Sequence, residues 1–389
     1  MTICQEGLIK QSGRLAQLLV ATQSSQPEGN EAEIISKIDS LFPRHIFRHK
    51  LDHGDNRASL LIKIEGAQHD GALAFVGHVD TVALGDLSQW TYPPLDATER
   101  DGILYGRGAA DMKGGVAAMI TAAQCVIQSG KTPARDLLFC FTADEEANGM
   151  GVQAIVKAGL LDHVSEVIIA EPSEQKIGLC EKGAIWLRLE AHGVSAHGSR
   201  PEIGLNAVEA LMEFQRRLAA NINTSHEHRL LGCTTISVTR LNGGIMTNVI
   251  PEEAVMELDI RTLPSLKNEV VLETARRIVE EMCAADSRLT LKITVLNDRL
   301  AVETPESASM VQKMKQVFAQ YDLDPTPRGL YFYTDMSQIA PRVNVPFLIL
   351  GPGDDKQAHK INEHAPIRAI ETIARVYTTY IENFYMGDS

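Results

Sequence analysis

Apolar positions along this chain change period more than once. At the start they recur at helical spacing (Leu8, Ile9, Leu15, Leu18, Leu19), which predicts a helix over residues 2–20. The polar stretch 22–30 ends it, and 31–41 returns to the helical period. Short apolar runs of strand character follow at 58–64, 71–76, 137–142 and 164–170, with a helix at 116–128 among them. Short buried strands alternating with helices predict an α/β fold. From about residue 182 the order changes to strand 184–191, helix 205–219, strands 234–241 and 254–261, helix 270–283 and strand 289–296. That is the split βαββαβ, or ferredoxin-like, arrangement. A helix at 306–321, a strand at 345–350 and a closing helix at 368–383 complete the chain. The pattern predicts one discontinuous domain, 1–181 and 295–389, interrupted by an inserted domain at 182–294.

The strand ends carry the chemistry. The run 71–76 delivers His78 and Asp80, the run 137–142 delivers Asp144, Glu145 and Glu146, and the run 164–170 delivers Glu171. Asp111 lies in a loop among Gly106, Gly108, Gly114 and Gly115, and His359 lies just beyond Gly351-Pro352-Gly353. In open α/β sheets ligands gather at the carboxyl ends of strands. Taken singly, each acid reads as a solvated turn residue or helix cap. Gathered at one edge, they point to divalent cations between them. Two imidazoles and three carboxylates, one of them bridging, supply three protein ligands to each of two metals. A hydroxide between such metals is a strong nucleophile near neutral pH. Of the adjacent Glu145 and Glu146, one can bind metal while the other carries a proton to a leaving nitrogen. Of His78 and Asp80, one can bind metal while the other orients it. Amide hydrolysis is the natural reaction of this set.

Composition narrows the field. Of 389 residues, 44% are hydrophobic and 22% charged, and the formal net charge is −13. That charge argues against nucleic acid or an anionic membrane as partner. No apolar run reaches the roughly 18 residues of a membrane span, and no secretory signal pattern opens the chain. The six scattered cysteines (Cys4, Cys125, Cys140, Cys180, Cys233, Cys283) fit reduced thiols in a cytoplasm. Neither a GxSxG elbow nor a GxxxxGK[ST] loop occurs, which excludes a serine hydrolase of that type and a P-loop NTPase.

The segments GHVDTV, YGRGAADMKGG, FTADEE, AEPS, GVSAHGSRP, TNVIP and GPG…AHKINE occur in that order. Together they resemble the dinuclear zinc exopeptidase and aminoacylase family, most closely its succinyl-diaminopimelate desuccinylase and acetylornithine deacetylase branch. The resemblance implies an α/β, mixed-sheet catalytic domain with an inserted ferredoxin-like lid and dimerisation domain. It implies that Asp111 bridges two divalent metals, zinc by preference, with cobalt or manganese also suited. His78 and Glu171 would complete one site, and Glu146 and His359 the other. Glu145 would be the general base, with Asp80 orienting His78. The Asp111–Met112 peptide would be cis. His197 would stabilise the oxyanion across a homodimer, and Asn248 and Arg261 would contact substrate, although Arg261 could instead pair with Asp259 or Glu257. Glu rather than Asp at 171 favours a deacylase or carboxypeptidase over an aminopeptidase or dipeptidase. The sequence departs from the family at Met336, where a small residue is usual, and at Leu95, where Phe is common.

Three functions follow as alternatives. One is a cytoplasmic N-acyl-amino-acid amidohydrolase acting on a small molecule, and another is a carboxypeptidase or dipeptidase acting on short peptides. The third, a non-catalytic metal-dependent binding protein, would be expected to lack a ligand or the base. None is missing here.

Overall fold

The computed structural model describes residues 5–222 and 224–387. The start of the expected first helix, and Cys4, lie outside them. The chain divides into two compact units, Met1–Leu179 with Glu303–Arg328 and Thr334–Ser389, and Cys180–Val302 with Gly329–Tyr333. The boundaries expected at 182 and 294 fall inside the second unit, and its short return segment at 329–333 has no counterpart in the sequence reading.

The first unit opens with helices α1 (Glu6–Val20) and α2 (Glu31–Ser40). Strands β1 (Phe47–Gly54), β2 (Arg57–Ile64) and β3 (Gln68–His78) follow, then α3 (Lys113–Ser129), β4 (Arg135–Thr142), α4 (Met150–Lys157) and β5 (Val164–Ile169). The second unit holds β6 (Gly183–His192), α5 (Ala207–Asn221), β7 (Thr235–Gly243), β8 (Glu253–Thr262), α6 (Asn268–Ala285) and β9 (Thr290–Arg299). The chain then returns with α7 (Ser309–Gln320), β10 (Phe347–Ile349) and α8 (Ile367–Phe384).

In the first unit these strands run in the order β1-β2-β4-β3-β5-β10. The pairs β1/β2 and β2/β4 are antiparallel, whereas β3 lies parallel to both β4 and β5, and β10 parallel to β5. The sheet is therefore mixed, and its three parallel inner strands end on one edge. Those strands are buried along most of their length, which explains why they read as unbroken apolar runs rather than alternating ones. Phe75 and Phe139 stack at 5.1 Å on neighbouring strands, and Tyr377 of α8 meets Phe75 edge-on at 5.0 Å. Helices α1, α3 and α8 pack on one another, and α3 packs against β3 and β4. Gly115 lets the start of α3 come close to the end of β5: a Cβ there would stand 2.0 Å from the carbonyl oxygen of Ala170.

The second unit is a four-stranded sheet in the order β7-β8-β6-β9, antiparallel throughout. With α5 and α6 this is the expected ferredoxin-like arrangement. Along β8 buried positions alternate with partly exposed ones, the period of a sheet with one covered face. Leu187, Leu189, Met256, Leu258 and Ile260 meet Leu211, Phe214 and Leu218 of α5 and Val271 and Ile278 of α6 in one core. Helix α5 starts two residues later than its apolar period suggests. The Asn206 side chain accepts the N–H groups of Val208 and Glu209 and fixes the first turn at Ala207. Among the described residues no helix is long and apolar enough to cross a membrane, and none of the five described cysteines is in a disulfide.

Candidate metal centre

The three parallel strands set the site. β3 ends on His78, β4 is followed by Ala143 to Glu146, and β5 by Ala170 and Glu171. Asp111 arrives from the loop before α3, and its peptide to Met112 is cis. His78 is buried, and its Nε2 lies 3.1 Å from Asp111 Oδ1 and 3.4 Å from Glu171 Oε1. His359, half-exposed, places its Nε2 at 3.5 Å from Asp111 Oδ2 and 3.0 Å from Glu146 Oε2. The two oxygens of Asp111 thus face different imidazoles, one each, as a bridging carboxylate requires. Ligand atoms of His78, Asp111 and Glu146 lie within 4.8 Å of one another, as do those of His78, Glu145 and Glu171. Neighbouring Glu145 and Glu146 therefore turn toward different partners.

Asp80 sits behind this cluster, fully buried. His78 Nδ1 meets the Asp80 main-chain carbonyl oxygen at 3.0 Å, with the carboxylate farther off at 3.6 Å. That carboxylate is occupied elsewhere: its oxygens accept the backbone N–H of Glu145 at 3.1 Å and of Glu146 at 3.2 Å. Asp80 holds His78 through its backbone and the Glu145–Glu146 turn through its side chain.

A network absent from the sequence reading backs Asp80. Gln26 Nε2 donates to Asp80 Oδ2 at 2.9 Å. Arg57 donates to the Gln26 side-chain oxygen at 2.8 Å and to Asp144 at 2.7 Å. Asp144, grouped in the sequence with its two acidic neighbours, points away from them toward Arg57. Thr142 adds a hydrogen bond of 2.6 Å to Asp335. No sequence pattern marks these contacts, since the partners are polar residues up to about two hundred positions apart with no shared period.

Electrostatics show what the cluster lacks. Burial raises the Glu171 carboxyl to about 8, with the Asp111 charge adding and His78 opposing. Burial likewise lifts Glu145 well above the usual range, against the pull of His78, and raises Glu146 with help from the Asp111 charge. His359 is pushed up to about 10 by its hydrogen bonds to Asp111 and Glu146. Burial disfavours a charged His78, yet the Glu171 charge and the Asp111 hydrogen bond hold its affinity for a proton well above normal. Asp111 is lowered despite its burial, by hydrogen bonds from His359 and His78. Fully ionised, these carboxylates would repel one another, and without a cation the cluster keeps protons instead. Imidazole and carboxylate donors crowded this way fit divalent cations.

The remaining expected residues belong to the second unit. His197 is exposed in a two-residue strand opposite Val249, and its Nδ1 lies 2.8 Å from Ser199 Oγ. Asn248 is exposed, and its carbonyl oxygen accepts the Gly198 N–H at 2.7 Å. Arg261 binds Asp259 through two hydrogen bonds of 2.8 and 3.0 Å. Met336, the departure from the family pattern, is buried.

The profile of peptidase family M20/M25/M40 matches residues 74–383. A probable succinyl-diaminopimelate desuccinylase of Staphylococcus aureus (strain MRSA252) is 29% identical over 379 residues, covering 90% of this chain and 92% of its own. Among solved structures, a metallo-carboxypeptidase of Sulfolobus solfataricus superposes with a TM-score of 0.77 at 15% identity, over 95% of this chain and 98% of that one. A dinuclear metal-binding peptidase of Bacillus subtilis does so with a TM-score of 0.71 at 16% identity, over 97% and 98%. The chain belongs to peptidase family M20/M25/M40 and is a metal-dependent hydrolase of amide bonds.

Proposed function

We propose that this hydrolase removes the acyl group from an N-acyl amino acid, with a succinyl- or acetyl-amino acid as substrate. The observation that carries the reading is the full donor set with glutamate at 171, joined to the similarity of nearly the whole chain to a desuccinylase. His78, Glu171 and Asp111 would hold one divalent cation, and Glu146, His359 and Asp111 the other. Zinc suits these ligands best, and cobalt or manganese would serve. When bound, the cations would polarise the acyl carbonyl and acidify water.

The chain's own groups do the rest. Glu145 takes the proton of the attacking water and delivers it to the departing nitrogen. Asp80, by fixing the backbone N–H groups of Glu145 and Glu146, keeps base and ligand apart. His197 is assigned the stabilisation of the tetrahedral oxyanion in the active site of a partner subunit. Asn248 and the part of Arg261 not committed to Asp259 are assigned to the substrate's polar groups, a carboxylate for the guanidinium.

The dimer this requires has support in the second unit. β7 is an edge strand, and Val238 and Leu241 on it are 44% and 41% exposed. An open edge with apolar side chains calls for cover, and a second copy of β7 would supply it. Reduced cysteines and the acidic surface suit a cytoplasmic protein.

A substrate panel tests the reading. Protein reconstituted with zinc or cobalt should hydrolyse at least one N-succinyl or N-acetyl amino acid. Failure on all of them, with cleavage of a peptide library, would move the assignment to a carboxypeptidase or dipeptidase.

A further inference from the structure

Besides the ends of β4 and β5, three separate segments bring ligands to the site: the end of β3, the loop before α3 and the loop around His359. Glu363, four residues beyond His359, ties them to one another. Its side chain is buried with 0% exposure. Oε1 accepts three backbone N–H groups, those of Gly108 at 3.1 Å, Ala110 at 3.0 Å and Asp111 at 3.0 Å. Oε2 accepts Nη1 of the equally buried Arg107 at 2.7 Å. The same Nη1 reaches the carbonyl oxygen of Lys360, and Nη2 that of Ala83, both at 3.1 Å. The Trp90 ring covers the guanidinium at 5.3 Å.

A generic buried ion pair does not explain this arrangement. Such pairs add little net stability, because desolvation offsets their attraction. Here one carboxylate oxygen gathers three N–H groups of a loop, and the last of them belongs to Asp111. Charge-assisted hydrogen bonds of this kind are short and directional. Fixing the Asp111 backbone fixes the direction in which its two oxygens leave it, one toward His78 and one toward His359.

We infer that Glu363, clamped by Arg107, is a positioning residue that aims the bridging carboxylate of Asp111 and so sets the affinity and symmetry of the two-metal site. The inference rests on the metal-centre reading above. Neither Glu363 nor Arg107 touches the reacting atoms.

The test uses the full chain and cobalt as probe, followed by its visible absorption during titration, with the melting of the metal-free protein measured alongside. Wild type should take up two ions. Glu363→Gln keeps the shape but loses the charge and turns an amide N–H₂ toward either Arg107 or the loop. Its apparent cobalt affinity should fall about 10–100-fold, the range for lost outer partners of metal ligands, with an altered absorption band. Arg107→Lys keeps the charge but not the fork, and should shift affinity the same way by less. It also serves if Glu363→Gln does not fold. A folded variant with wild-type affinity and spectrum, whatever its melting temperature, overturns the inference alone. Wild-type protein that takes up no cobalt overturns the metal-centre reading and the inference with it.

Discussion

The two units solve the same folding problem with opposite electrical outcomes. In the second, the central strands β6 and β8 bury an alternating apolar face against α5 and α6, and its surface charges pair locally, as Glu213 does with Arg216 and Arg217. In the first, three inner strands are buried along most of their length, and their ends deliver Glu145, Glu146 and Glu171 beside Asp111. Folding completes the second unit but leaves the first with buried acids and histidines that hold protons at its working edge. Natural sequences break local rules at functional sites. Here the break is a cluster of buried acids that burial pushes toward the protonated form.

The sharpest way to break the comparison is to remove one of those acids without disturbing the others. Glu145→Ala should cut turnover by about 10²–10⁴-fold, the usual worth of a general base, while metal content stays at that of wild type. Loss of metal instead would move Glu145 into the ligand set. Chelation should act next most strongly, and on one unit only. Removing bound cations withdraws their stabilisation of the folded form. Hydrogen exchange should therefore quicken around His78, Asp111, Glu146 and Glu171 and remain unchanged in β6 to β9. Equal acceleration in both units would erase the distinction drawn here.

A smaller effect concerns His197. Mixed with Glu145→Ala, inactive His197→Ala should regain part of the wild-type rate through hybrid dimers. No regain after verified subunit exchange would confine each active site to one chain. The smallest effect lies away from the metals. Glu31 is buried beside Arg57, and burial raises its carboxyl from 4.5 to about 7. Between those values the unfolded chain has released this proton while the folded chain keeps it, so this group's contribution to stability falls as pH rises through about 7. The urea midpoint of Glu31→Gln should fall less from pH 5 to pH 8 than that of wild type. Parallel slopes would show that Arg57 already neutralises the carboxylate.

Legibility in the sequence followed the same divide. The second unit's elements could be placed within a few residues, because period-two and helical patterns report a single covered face. The first unit's inner strands were readable as apolar runs, and the acids at their ends as a cluster. Strand β1 escaped because FRHKLDHG has only Phe47 and Leu51 as apolar residues, and half of it stays exposed. Its turn at Asp55-Asn56, both with positive φ, is the local signal that marks the hairpin. Helix α4 escaped because Gly149 precedes it without a capping side chain. Gln26 and Arg57 could not be read at all, and Glu363 entered only as the last residue of the AHKINE segment, with no supporting role. Hydrogen bonds between distant polar residues leave no period, and a buried Glu363 looks in sequence like any surface acid.

The crowding at His78, His359 and Glu171 also governs how the enzyme acquires its cations. Groups that hold protons so firmly at neutral pH must surrender them before they can coordinate. Loading is then an exchange, ions in and protons out. Its apparent strength should climb with alkalinity, and its measured heat should depend on the buffer that collects what is released.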